Sequence, residues 1–139
     1  MKSPRYAPAG LLVEYGDHRV VIDGGPGAAP AGQIDAWLVT DDRGELMHQI
    51  RQLARAQGLK PQVSCFCAGG LLIGPRPVVH TTHPPYGYLI EAEGRRVVWG
   101  PGVPGVPALA EGADLMFAEA AGWRSPSRAV LAGTPRRCT

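Results

Sequence analysis

A chain of 139 residues has room for one domain with one modest core, and 45% hydrophobic against 19% charged residues is a globular balance that excludes a disordered polyelectrolyte. A formal net charge of +2 makes no electrostatic case for nucleic acid, no apolar run reaches membrane-spanning length, and the N-terminus lacks the charge-then-apolar order of a secretory leader. Three cysteines, Cys65, Cys67 and Cys138, make an odd count that points to a reducing, cytoplasmic setting.

Residues 10–23 (GLLVEYGDHRVVID) predict a β-hairpin, two β-rich runs turning at Gly16-Asp17. Residues 24–32 (GGPGAAPAG) are a loop, because neither a helix nor a strand interior tolerates that content of glycine and proline. Residues 36–40 (AWLVT) form a short continuous apolar run, the mark of a strand covered on both faces. The charged stretch Asp41, Asp42, Arg43, Glu45 follows at once. Asp42 with Glu45 three residues later matches a capping box. Leu46, Ile50, Leu53 and Ala54 recur at helical spacing, and Arg51 and Arg55 are left for solvent. Gly58 and Pro61 end the pattern, so the spacing predicts a helix over 43–57.

Short β-like pieces follow at 62–66, 71–73 and 77–81. A second hairpin is predicted from 86–92 and 95–100, turning at Glu93-Gly94. Residues 100–107 read as loop, 108–113 as at most a turn or two of helix, and 114–120 as another buried strand. From Gly122 onward no period is sustained, and Arg124, Arg128, Arg136 and Arg137 belong to a basic, poorly ordered tail, residues 123–139. Hairpin, loop and strand occur twice in the same order, which implies a layered α/β protein built from two similar halves.

In their order and spacing, the segments VIDGGPG, IDAWLVTDD with its helix, HTTHPPYGYLIEAEGRRVVWG and EGADLMFAEAAG resemble the metallo-β-lactamase fold superfamily, and within it the tRNase Z and phosphodiesterase branch. The resemblance runs from about Ser3 to Gly122, most of the chain, and implies one domain over residues 1–122. It implies an αββα sandwich, here incomplete at both ends, and as family chemistry the metal-dependent hydrolysis of phosphodiester or ester bonds. The family's first metal motif, Thr-His-x-His-x-Asp-His, follows a buried strand. In this sequence Thr40 holds the threonine position, Asp41 and Arg43 the first two histidine positions, Glu45 the aspartate position and Leu46 the last histidine position. His80 and His83 fall near a further histidine position, and Gly102 stands near the expected bridging aspartate. The resemblance implies that Asp23 orients neighbouring loops in the floor of the site. Asp41 and Glu45 retain oxygen donors, whereas Arg43 opposes a cation and Leu46 has no donor atom.

Each candidate also has a plainer reading. Asp41, Asp42 and Glu45 are a residual carboxylate site or, with the cap pattern complete, a helix cap. His80 and His83, just before Pro84-Pro85, are loop histidines or metal ligands. Cys65 and Cys67 read as small buried apolar residues before they read as zinc ligands. Tyr86 and Tyr88 share a strand face and read as packing. The expectation is a hydrolase-like protein with most metal ligands absent, holding no tightly bound cofactor, or zinc or another divalent metal where the site functions. The alternative is a non-catalytic binding or assembly module. A homo-oligomer is expected because a shortened sandwich leaves strand edges open, and a small-molecule or phosphodiester ligand is compatible with either.

Overall fold

The computed structural model describes residues 10–77, 86–100 and 112–118, and the backbone of 127–130. The elements in chain order are β1 (Gly10–Tyr15), β2 (His18–Asp23), β3 (Ala36–Leu38), α1 (Met47–Ala56), β4 (Phe66–Ala68), β5 (Leu71–Pro77), β6 (Tyr86–Ala92), β7 (Arg95–Gly100), β8 (Leu115–Ala118) and β9 (Ser127–Val130). They make two mixed sheets, one ordered β3-β2-β1-β9 and the other β4-β5-β6-β7-β8.

Both expected hairpins are present, in register through their two-residue turns: Tyr15 lies opposite His18, and Ala92 opposite Arg95. Glu93 adopts φ 51° and Gly94 φ 76°, the left-handed pair that matches the right-handed twist of the flanking strands. The hairpins are repeated with their surroundings. β3 lies parallel to β2, and β8 parallel to β7. In the first half the Arg19 amide donates to the Asp35 carboxylate and the Asp35 amide donates to the Arg19 carbonyl. In the second, Arg96 and Asp114 repeat both bonds. An aspartate thus sits just before each parallel strand and fixes its register against an Arg-Val-Val segment.

Strand alternation sorts the apolar residues onto two faces. Leu11, Val13, Tyr15, Val20, Ile22 and Leu38 face inward and meet Leu71, Ile73, Tyr88, Ile90, Val97 and Trp99 of the second sheet. Leu12, Val21, Trp37 and Val39 face the other way, where Met47, Ile50 and Ala54 of α1 cover them. The first sheet is therefore covered on both faces, as its continuous apolar runs require. Two mixed sheets packed face to face, with one helix outside the first, make a layered α/β arrangement. The second helical layer of the expected αββα sandwich is not among the described residues.

The helix begins later than its periodicity implies, at Met47 rather than Arg43. Leu46 is its N-cap residue, with no side-chain cap hydrogen bond, so the expected Asp42–Glu45 capping box does not form. The local reason is Asp41. Its Oδ1 accepts the Arg43 amide at 2.9 Å, and its carbonyl accepts the Gly44 amide at 3.4 Å. This Asx turn competes with helical hydrogen bonding and uses up the residues expected to form the first turn. The far end follows expectation. Gly58 takes φ 71°, its amide donates to Arg55, and the Leu59 amide donates to Ala54, the paired bonds of a Schellman stop.

Three strand expectations shift. The strand expected at 62–66 begins only at Phe66, and Gln62 makes an isolated parallel bridge to Leu38. Pro77 closes β5, and 78–81 lie outside the described residues. Within the segment expected as a basic tail, Ser127–Val130 form β9 parallel to β1. Four residues are too short a run to show a period in sequence, and it is the open edge of β1 that gives them partners.

Candidate functional site

β2 and β3 run parallel, so their C-terminal ends share one edge of the first sheet, and Trp99 near the end of β7 reaches the same edge from the second sheet. Asp23 lies at the centre. It closes β2 with φ 60°, a left-handed conformation costing a non-glycine residue roughly 1 kcal/mol, and Gly24 and Gly25 continue at φ 90° and 143°. The chain leaves the strand so sharply that a Cβ on Gly10 would stand 2.8 Å from the Gly24 Cα, which accounts for glycine at the start of β1.

Four side-chain or backbone groups hold Asp23 in that conformation. The Thr40 amide donates to Oδ1 at 2.8 Å. The Thr40 hydroxyl lies 3.1 Å from Oδ1 and 2.9 Å from Oδ2. The Trp99 indole donates to Oδ2 at 2.9 Å, and the Trp37 indole donates to the Asp23 carbonyl at 2.8 Å. Burial raises the Asp23 carboxyl above the ordinary carboxylate value. The Trp99 and Thr40 hydrogen bonds pull the other way, and the nearby charge of Asp41 adds to the rise. Beside it, Tyr88 donates its hydroxyl to the Val39 carbonyl at 2.7 Å, and burial raises that phenol well above its ordinary value. Tyr88 is thus more than packing, while Tyr86 is partly exposed at the start of β6.

Among the expected site residues, the structure brings Asp23 and Asp41 to one corner and leaves Glu45 exposed in the turn before α1. His80 and His83 lie outside the described residues, as does the region around Gly102. Arg43 is exposed. Leu46, which the resemblance set at the last ligand position, packs against the apolar cluster under α1. No group of three or more His, Cys, Asp or Glu suited to a metal occurs among the described residues. Zinc or a similar cation does not fit the described part of this corner. The Asp23 carboxylate is already occupied by protein donors, and Asp41 Oδ1 serves the Arg43 amide.

The expectation of buried cysteines is corrected. Cys65 and Cys67 are both exposed; Cys65 is a free thiol and Cys67 is disulfide-bonded. Cys138 lies outside the described residues. No helix among the described residues is long and apolar enough to cross a membrane.

The sequence did not single out Trp37 and Trp99 as hydrogen-bond partners of Asp23, nor Tyr88 as the donor to the Val39 carbonyl. The available signal was alternation: Tyr88 and Trp99 fall on the inward faces of their strands, and a buried indole or phenol must find a hydrogen-bond partner.

No protein-family profile and no curated protein matches the chain. Among solved structures, it is similar to zinc-bound PqqB from Methylobacterium extorquens, with 18% identity and a TM-score of 0.49 over 74% of this chain and 53% of that one. The chain thus spans about half the length of that structure.

Proposed function

We propose that this chain is a metallo-β-lactamase-fold, hydrolase-like protein in which protein hydrogen bonds have replaced metal ligation at the strand-end corner. It works as a binding or assembly module rather than by turnover. The observation that carries this reading is the occupancy of the corner's oxygens. Asp23 accepts from Thr40 and Trp99, and Asp41 accepts from the Arg43 amide. Arg43 supplies a fixed positive charge where a cation would otherwise be held. Self-association belongs to the same reading, supported by Leu72 and Leu115, large apolar side chains exposed on the second sheet.

The test is elemental analysis of protein purified without chelator, joined to phosphodiester and ester hydrolysis assays with and without added zinc and manganese. The reading requires well under one equivalent of metal and no metal-dependent hydrolysis. Two tightly bound ions with metal-dependent turnover would replace it with a second reading, a metal-dependent hydrolase using Asp41, His80 and His83. The proximity of Asp41 to Asp23, which places two carboxylates at the same sheet edge, favours that alternative.

A further inference from the structure

Tyr88 and Trp99 lie directly opposite each other on neighbouring strands of the second sheet. Both are fully buried, and both point inward. Each holds a single polar hydrogen at the end of a rigid ring, and each uses it outside its own sheet. Tyr88 donates to the Val39 carbonyl at 2.7 Å and Trp99 to Asp23 Oδ2 at 2.9 Å. The two acceptors stand on adjacent strands of the first sheet, one at the end of β2 and the other just beyond β3. Between them the Thr40 amide closes onto Asp23 Oδ1 at 2.8 Å, and one residue later the Asx turn of Asp41 begins.

We propose that Tyr88 and Trp99 act as a pair of positioning residues, a cross-strand aromatic clamp through which the second sheet fixes the 40–45 corner of the first. Ladder hydrogen bonds run within the plane of a sheet and leave a strand end free to tilt out of it. Two bonds that cross from the other sheet, donated by neighbouring strands, restrict that freedom. Aromatic rings serve this task because only two torsions need fixing to aim a donor across the sandwich. Trp99 holds Asp23 Oδ2 while the Thr40 amide holds Oδ1, so each donor limits the orientations open to the carboxylate that the other grips. The clamp is made of protein groups throughout, and it holds whether or not the corner binds an ion.

The experiment is amide hydrogen exchange, resolved by residue, on the full chain and on Tyr88→Phe, Trp99→Phe and the double variant. Each single change keeps a ring and removes the donor. Exchange at the Thr40 and Arg43 amides should quicken roughly five- to tenfold in each single variant, as expected for the loss of one net hydrogen bond, and further in the double. The β1–β2 ladder should keep its native rates. Corner amides that keep native rates in Tyr88→Phe would overturn the proposal. So would acceleration spread evenly over the β1–β2 ladder, which would show general destabilisation rather than positioning. Should Trp99→Phe fail to fold, Tyr88→Phe decides alone, because it deletes one oxygen and leaves the packing of the ring in place.

Discussion

Replacing Thr40 with valine separates the hydrogen-bonding role of this residue from its packing role. Thr40 is 5% exposed, and its hydroxyl lies within 3.1 Å of both Asp23 oxygens. Valine keeps the branched shape and removes the donor. A hydrogen bond to a charged group contributes about 1.5–3 kcal/mol. Asp23 still accepts from the Thr40 amide and the Trp99 indole after the change, so the carboxylate is weakened rather than orphaned. The expected cost is therefore about 2 kcal/mol, which for a chain of this length lowers Tm by about 7 °C. Thr40→Ser keeps the hydroxyl and loses one buried methyl, a cost of about 0.8 kcal/mol. Urea unfolding with an unchanged m-value measures both. A valine variant as stable as the parent would refute the bond's contribution, and a serine variant as damaged as the valine one would show that the methyl, not the hydroxyl, matters.

Asp23→Asn tests the raised carboxyl. A group whose folded pKa lies above its unfolded one adds stability that is complete below the unfolded value and is lost as pH rises through the folded value. The stability advantage of the parent over the asparagine variant should therefore shrink from acid to neutral pH; an advantage that grows would mean that the indole and threonine donors outweigh burial. Asp41→Ala should cost about 0.5–1 kcal/mol through loss of the Asx turn, while Asp42→Ala stays within about 0.5 kcal/mol; denaturation midpoints that rank the two in the opposite order would restore the capping box. In sedimentation the chain should form a dimer or larger species, and a monomer at high concentration would count against the assembly reading.

Elements whose information is local were legible in the sequence. The hairpins carry their own two-residue turns and alternating faces, and the Schellman end of α1 is announced by Gly58. The start of α1 was not legible, because Asp41 and Asp42 are chemically equivalent in sequence and only the exit of β3 decides which one captures an amide. At the corner, Asp23 and Thr40 were visible only separately, in the segments VIDGGPG and IDAWLVTDD. Trp99 and Tyr88 were not, because their partners are set by the packing of one sheet on the other, which no spacing along the chain encodes. The short β9 illustrates the same limit, since its partner is the far end of the chain.

That last pairing also bears on how quickly the molecule can form. Leu11 lies opposite Ser127, so nearly the whole chain intervenes between two strands that must meet in parallel. Loop closure over such a distance carries its entropic cost before any contact repays it, and topologies of this kind fold slowly. During synthesis β1 and β2 emerge together and close within their own hairpin, whereas the other edge of β1 stays unpaired until the ribosome has delivered residues 127–130. For that interval an apolar strand is open to any passing edge, and the yield of native protein depends on how well the growing chain is protected while it waits.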